Sequence, residues 1–186
     1  DFDFRDMTLM IETRMRDATG LTGHGVLKGN SFAMDVTGGR LIDVVLTQGG
    51  LNVPSFHNHD SHTKIWLESR GSAVAVIEAV DPLAGGELTM HGLNSDRMNG
   101  EAEVRVDIDF PTFHDITNAN FGLTFHGTIA GAGLKQAALG WDLSEGTLTV
   151  DGDLLADKLA VTGPARLGPY TGEVSYRTLV EPKTQL

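Results

Sequence analysis

Between Glu101 and Phe110 the chain reads EAEVRVDIDF, with every second residue apolar. Ala102, Val104, Val106, Ile108 and Phe110 alternate with Glu101, Glu103, Arg105, Asp107 and Asp109. A period of two puts one set on a buried face and the other in water. Wound as a helix, the same residues would spread charge around the whole cylinder. A strand with one wet face belongs to an antiparallel sheet, because parallel strands are covered on both sides. The pattern recurs. Phe121, Leu123, Phe125 and Ile129 alternate with Thr124, His126 and Thr128, and Val174, Tyr176, Thr178 and Val180 with Glu173, Ser175 and Arg177.

Phe32, Met34 and Val36 lead into Gly38-Gly39 and then RLIDVVLT, a hairpin pattern, since both central residues of a type I′ turn need positive φ. Gly85-Gly86 separates SAVAVIEAV (72–80) from ELTMH (87–91) in the same way, which predicts two more strands. Residues 147–150 and 158–162 are further short strands. Residues 6–18 suit a strand or a helix ending at Gly20, and strand is preferred. Residues 134–140 allow one helical turn. The sum is about eight to ten strands with a turn every 8–15 residues and no β-α-β alternation. The expected fold is all-β: one antiparallel barrel spanning 1–186, with residues 1–20 as a peripheral segment, or alternatively a β-sandwich. Gly127, Gly131 and Gly133 favour the barrel, because glycines inside a strand permit the bends that closure needs.

Charge and composition bound the function. With 14 basic and 25 acidic residues the chain carries −11, a field that repels a phosphate backbone, so nucleic acid is not an expected partner. There is no cysteine, which excludes thiolate chemistry and Cys-ligated zinc. No apolar run approaches the length of a spanning helix, so no membrane span is expected. The chain opens DFDFRDM, without Met, which fits a trimmed or processed form and leaves open a preceding leader or lipid anchor.

The longest stretch without strand periodicity is 48–63, and it leads into FHNHDSHTKIW (56–66). On an extended segment His57 and His59 project to one side, about 7 Å apart, close enough to share a zinc ion. Asp60 or His62 joins them only if the backbone turns after His59. The spacing departs from the His-x-His-x-Asp-His of metallo-β-lactamases: Asp60 comes one position early and Ser61 stands where Asp would. It also departs from cupins, since Glu68 lies too far beyond His59. A solvated loop tip explains the same residues. His57, His59 and His62 are therefore candidate metal ligands, with zinc or haem as the groups they would hold. Phe56, His57, His59, His62 and Trp66 are candidate contacts for a partner, because binding residues gather on loops carried by a rigid scaffold. The competing view has Phe56 and Trp66 tucking the loop into a barrel mouth. His24, His91 and His126 each precede glycine and read as strand-end residues on the wet face, or as a ring of imidazoles at one end. Ser61-His62 forms no triad, GHGVLKG (23–29) lacks the Lys-Ser/Thr of a phosphate loop, and Glu101, Glu103, Asp107 and Asp109 are a solvated face.

Toward the C-terminus the text runs Val161-Thr162-Gly163-Pro164-Ala165, then Arg166–Thr171, then Gly172-Glu173-Val174-Ser175-Tyr176-Arg177-Thr178. With FGLTFHGTI (121–129), it resembles the closing strands of transferrin-binding-protein-like surface lipoproteins, the group that includes the factor-H-binding proteins. The family's aromatic–Gly-Pro signature is replaced by Val161-Thr162 before Gly163-Pro164. The resemblance covers about 60 residues and implies a closing hairpin near Gly163 and a secreted or cell-surface module of a Gram-negative bacterium. The expected function is a non-catalytic binding module that recognises a protein or small ligand through its end loops. The alternatives are a metal-dependent enzyme or metal- or haem-binding protein built on the histidines, and a structural subunit of a larger assembly.

Overall fold

The computed structural model describes residues 1–10, 17–83, 86–90, 93–117 and 119–178. Ten strands follow one another: β1 (Phe2–Leu9), β2 (Ala18–Lys28), β3 (Ser31–Leu41), β4 (Val44–Val53), β5 (His62–Ser72), β6 (Met98–Pro111), β7 (Gly122–Ala138), β8 (Trp141–Asp153), β9 (Lys158–Leu167) and β10 (Tyr170–Arg177). Each pairs antiparallel with the next, giving one sheet in sequence order. Among the described residues no ladder joins β1 to β10, so the sheet is open and the expected barrel closure is not made. The β5–β6 connection holds α1 (Ala73–Val80), α2 (Glu87–Met90) and a 3-10 turn at Ser95–Arg97. No helix among these residues is long and apolar enough to cross a membrane.

The alternation at 101–110 does what its period requires. Ala102, Val106 and Ile108 are buried, while Glu101, Glu103 and Arg105 are exposed. Glycine–aromatic pairs help fix the register: Phe2 lies opposite Gly25, Phe4 opposite Gly23, Trp66 opposite Gly50 and Phe125 opposite Gly152. A Cβ at Gly152 would lie 2.1 Å from the Phe125 ring, and one at Gly50 2.4 Å from Trp66 Nε1, so each ring fills the space its glycine leaves.

Residues 72–80 and 87–90 are helical, not extended. Ser72 caps α1 by accepting a hydrogen bond from Ala75 N at 3.2 Å. Ala73, Ala75, Val76, Ile77, Ala79 and Val80 are all buried and Glu78 alone in α1 is exposed, so the helix has little polar contrast to set off its period. The Asp81 carboxylate accepts from Leu88 N, Thr89 N and Thr89 Oγ1, which ties α2 back to the end of α1. His91 lies outside the described residues, as do 11–16 of the ambiguous 6–18 segment and Val180; Met7 to Leu9 lie in β1 and Ala18 begins β2.

Three turns also move. Gly38-Gly39 lies inside β3, and the chain reverses at Ile42-Asp43 between the paired Leu41 and Val44. Residues 134–138 continue β7 to a turn at Leu139-Gly140, with no helical turn. Gly163-Ala165 lies within β9, and the last hairpin turns at Gly168-Pro169 instead. At the Leu139-Gly140 turn both φ angles are positive, 54° and 78°. Asn or Gly ordinarily takes the first of these places, because a left-handed conformation costs an L-residue about 1–2 kcal/mol. Leu139 is also 93 % exposed, so its side chain gains little burial in return. Leu139→Asn is expected to stabilise the protein by about 1 kcal/mol, read as a rise in thermal midpoint.

Candidate functional site

The histidine-rich segment is shorter and better held than its sequence suggests. Gly49, Gly50, Leu51 and Val53 belong to β4, which leaves residues 54–61 as the loop. Ser55 Oγ accepts from His57 N (3.1 Å) and Asn58 N (3.0 Å), Asn58 Oδ1 accepts from Asp60 N (3.0 Å), and Ser61 Oγ accepts from Ser55 N (3.2 Å). These Asx- and Ser-type turns wind the loop onto itself. Thr112 N donates to Ser61 O at 2.8 Å, and the Thr63 and Thr112 hydroxyls bond at 3.0 Å, joining it to the β6–β7 connection.

The three histidines part within this frame. His57 is exposed on the loop. The His59 ring turns toward Phe113 (5.7 Å) and His114 (6.4 Å). His62, at the start of β5, pairs through Nδ1 with Asp109, which also receives Lys64 Nζ at 3.6 Å. Among the described residues no group of three or more His, Cys, Asp or Glu side chains is placed to hold a metal ion. Phe56 is 42 % exposed. Trp66 lies apart from the loop, over Gly50, with the Arg105 guanidinium 4.9 Å from its ring centroid. Arg105 is held in turn by Asp107 (2.9 Å) and Glu68 (3.2 Å), and the hydrogen bonds to Asp107 raise its pKa above the usual arginine value. Neither aromatic plugs a barrel mouth.

His24 and His126 lie within β2 and β7 on the solvent face. Each pairs with an aspartate, Asp3 and Asp151, so they do not ring one end of the sheet. A wide depression of about 610 Å³ beside His126 is walled by Asp107, Asp151 and Asp153 against Lys158 and Arg177, a mixed and solvated set.

The cavity with a distinct chemistry lies elsewhere. A void of about 360 Å³ sits between α1 and the inner face of β6–β10. Of the 26 described residues that line it, only Arg97, Gln136, Ser175 and Tyr176 are polar. That composition offers no convergent acid–base pair or nucleophile with a base, and it suits an apolar guest. Engineered apolar cavities of about 150 Å³ stay dry and admit benzene, so this one is large enough for a guest of roughly 14 non-hydrogen atoms.

Long-range packing builds this site, and no loop motif marks it. One signal was nevertheless present. Ala73, Val76, Ile77 and Val80 fall at i, i+3, i+4 and i+7, a helical stripe, directly after a Ser with capping chemistry. All four line the cavity. Comparison with family models, with curated proteins and with solved structures finds no match.

Proposed function

We propose that the protein is a non-catalytic binding module whose ligand is a small, mainly apolar molecule held between α1 and β6–β10. The observation that carries this is the cavity of about 360 Å³ with a wall almost free of polar groups. Burying apolar area contributes about 25 cal/mol per Å², so a guest whose apolar surface is covered there gains affinity without needing any polar contact. Strands β6–β10 line the cavity together with α1 and α2 of the β5–β6 connection, and connections carried on a sheet scaffold are where recognition gathers. The resemblance of residues 161–178 to surface lipoproteins adds a secreted or cell-surface location to the proposal. The end loops with His57, His59 and Phe113 are left as a surface for a protein partner.

The test is titration of the purified protein with a neutral environment-sensitive naphthylamine dye. Saturable fluorescence enhancement with a stoichiometry of about one is expected. Linear enhancement without saturation would show that the void is not a binding site.

A further inference from the structure

We infer that the cavity takes a single-chain amphiphile with a carboxylate head, the head held by Arg97 and the hydrocarbon tail running under α1. The inference rests on the apolar-ligand reading and adds the chemical class of the ligand.

Among the described residues Arg97 is the one charged residue in the cavity wall, and no carboxylate lines it. Its guanidinium is fixed by backbone carbonyls: Nε donates to Lys135 O at 3.0 Å and Nη2 to Gln136 O at 2.8 Å. These bonds clamp the 3-10 turn to the end of β7 and hold the planar head still. Among the described residues Nη1 has no hydrogen-bond acceptor and Arg97 no acidic partner within ion-pair distance. A guanidinium stays charged at any working pH, and its remaining N–H groups match a carboxylate oxygen. Asp142 lies outside the cavity lining and is already engaged, accepting from Gln136 N at 2.8 Å.

On a chain of net charge −11, a lone cation on an apolar wall is a local exception. Immobilised before the ligand arrives, it needs little reordering when a carboxylate binds. A neutral apolar guest would leave this charge partly desolvated and unmatched, whereas an anionic head would compensate it. The size fits the same class. Dodecanoate has the roughly 14 non-hydrogen atoms for which the cavity has room.

The test compares dodecanoate with dodecanol in displacing the bound dye at neutral pH. In the unaltered protein the acid is expected to bind about tenfold or more tightly than the alcohol, the contribution typical of a hydrogen bond to a charged group. In Arg97→Met the acid-to-alcohol ratio should fall to about one, and Arg97→Lys should retain part of the preference. Taking the ratio within each variant cancels any general loosening from the lost bonds to Lys135 and Gln136. The comparison in the unaltered protein stands even if a variant fails to fold. Equal binding of acid and alcohol there, or an unchanged ratio in Arg97→Met, overturns the carboxylate inference and leaves the apolar-ligand proposal standing. Failure of both compounds and of the dye to bind overturns both.

Discussion

Gly163→Ala is expected to destabilise the protein by about 3 kcal/mol or more, the combined scale of backbone strain and overpacking. Gly163 has φ +145° in the interior of β9, a conformation that L side chains avoid. A Cβ built there would lie 2.2 Å from Thr147 O and 3.2 Å from Leu148 Cα, both backbone atoms of β8 that no rotamer change can move aside. The β8–β9 ladder is already irregular at this level, its register shifting between Ser144 and Thr149, and Glu145 takes φ 54° within the same interruption. Pro164, which has no N–H to give a ladder, occupies the same interval. The close approach of the two backbones thus depends on a missing side chain. Gly172 is the control: it lies in β10, and a Cβ there would meet nothing within 4 Å. Gly172→Ala should stay within about 0.5 kcal/mol of the parent in the same denaturant titration. If Gly163→Ala is equally mild, β8 and β9 do not approach as described.

Val161→Trp is expected to weaken dye binding at least about tenfold while changing stability by less than about 1 kcal/mol. Val161 faces the cavity from β9, so an indole there would have empty volume to occupy. Forcing the same ring into a filled interior would instead strain its surroundings. Val106, 5 % exposed and outside the cavity lining, supplies that contrast, and Val106→Trp should cost about 1–3 kcal/mol or more. A Val161→Trp protein that is as damaged as Val106→Trp would mean that β9 packs against a solid core.

The strands were legible in the sequence wherever one face met water. Residues 101–110 announce β6 because Glu, Arg and Asp mark the solvated side at every second place, and 121–129 announce β7 with Thr and His in the same role. The segment 72–80 gave no such contrast. Its residues are buried almost all round, with Val and Ile that favour strands as readily as a covered helix, and only the Ser72 cap and the stripe at 73, 76, 77 and 80 separated the two. Turns misled for another reason. Gly38-Gly39 has the chemistry of a hairpin, yet β3 runs through it because Gly39 approaches Leu21 and Thr19 closely, while the reversal falls on Ile42, a β-branched residue with φ 55° that no turn rule selects.

The histidine loop stands out in sequence because imidazoles are rare and chemically versatile, but its backbone is held by Ser55, Asn58 and Ser61, and His59 and His62 turn to different neighbours. The cavity has no such mark, because its wall collects apolar residues from seven elements that look in sequence like ordinary core. Arg97, in a short segment with no strand pattern, carried no sign of being its charged member.

The most direct test of the central claim is a crystal structure of the protein soaked with a long-chain bromoalkane, with anomalous data collected at the bromine edge. The expected result is a bromine peak inside the space bounded by Val76, Ile129 and Val161, with α1 seated over β6–β10 as described. A structure in which protein side chains fill that space, or in which it stays empty with bromine only on the outer surface, would contradict the account.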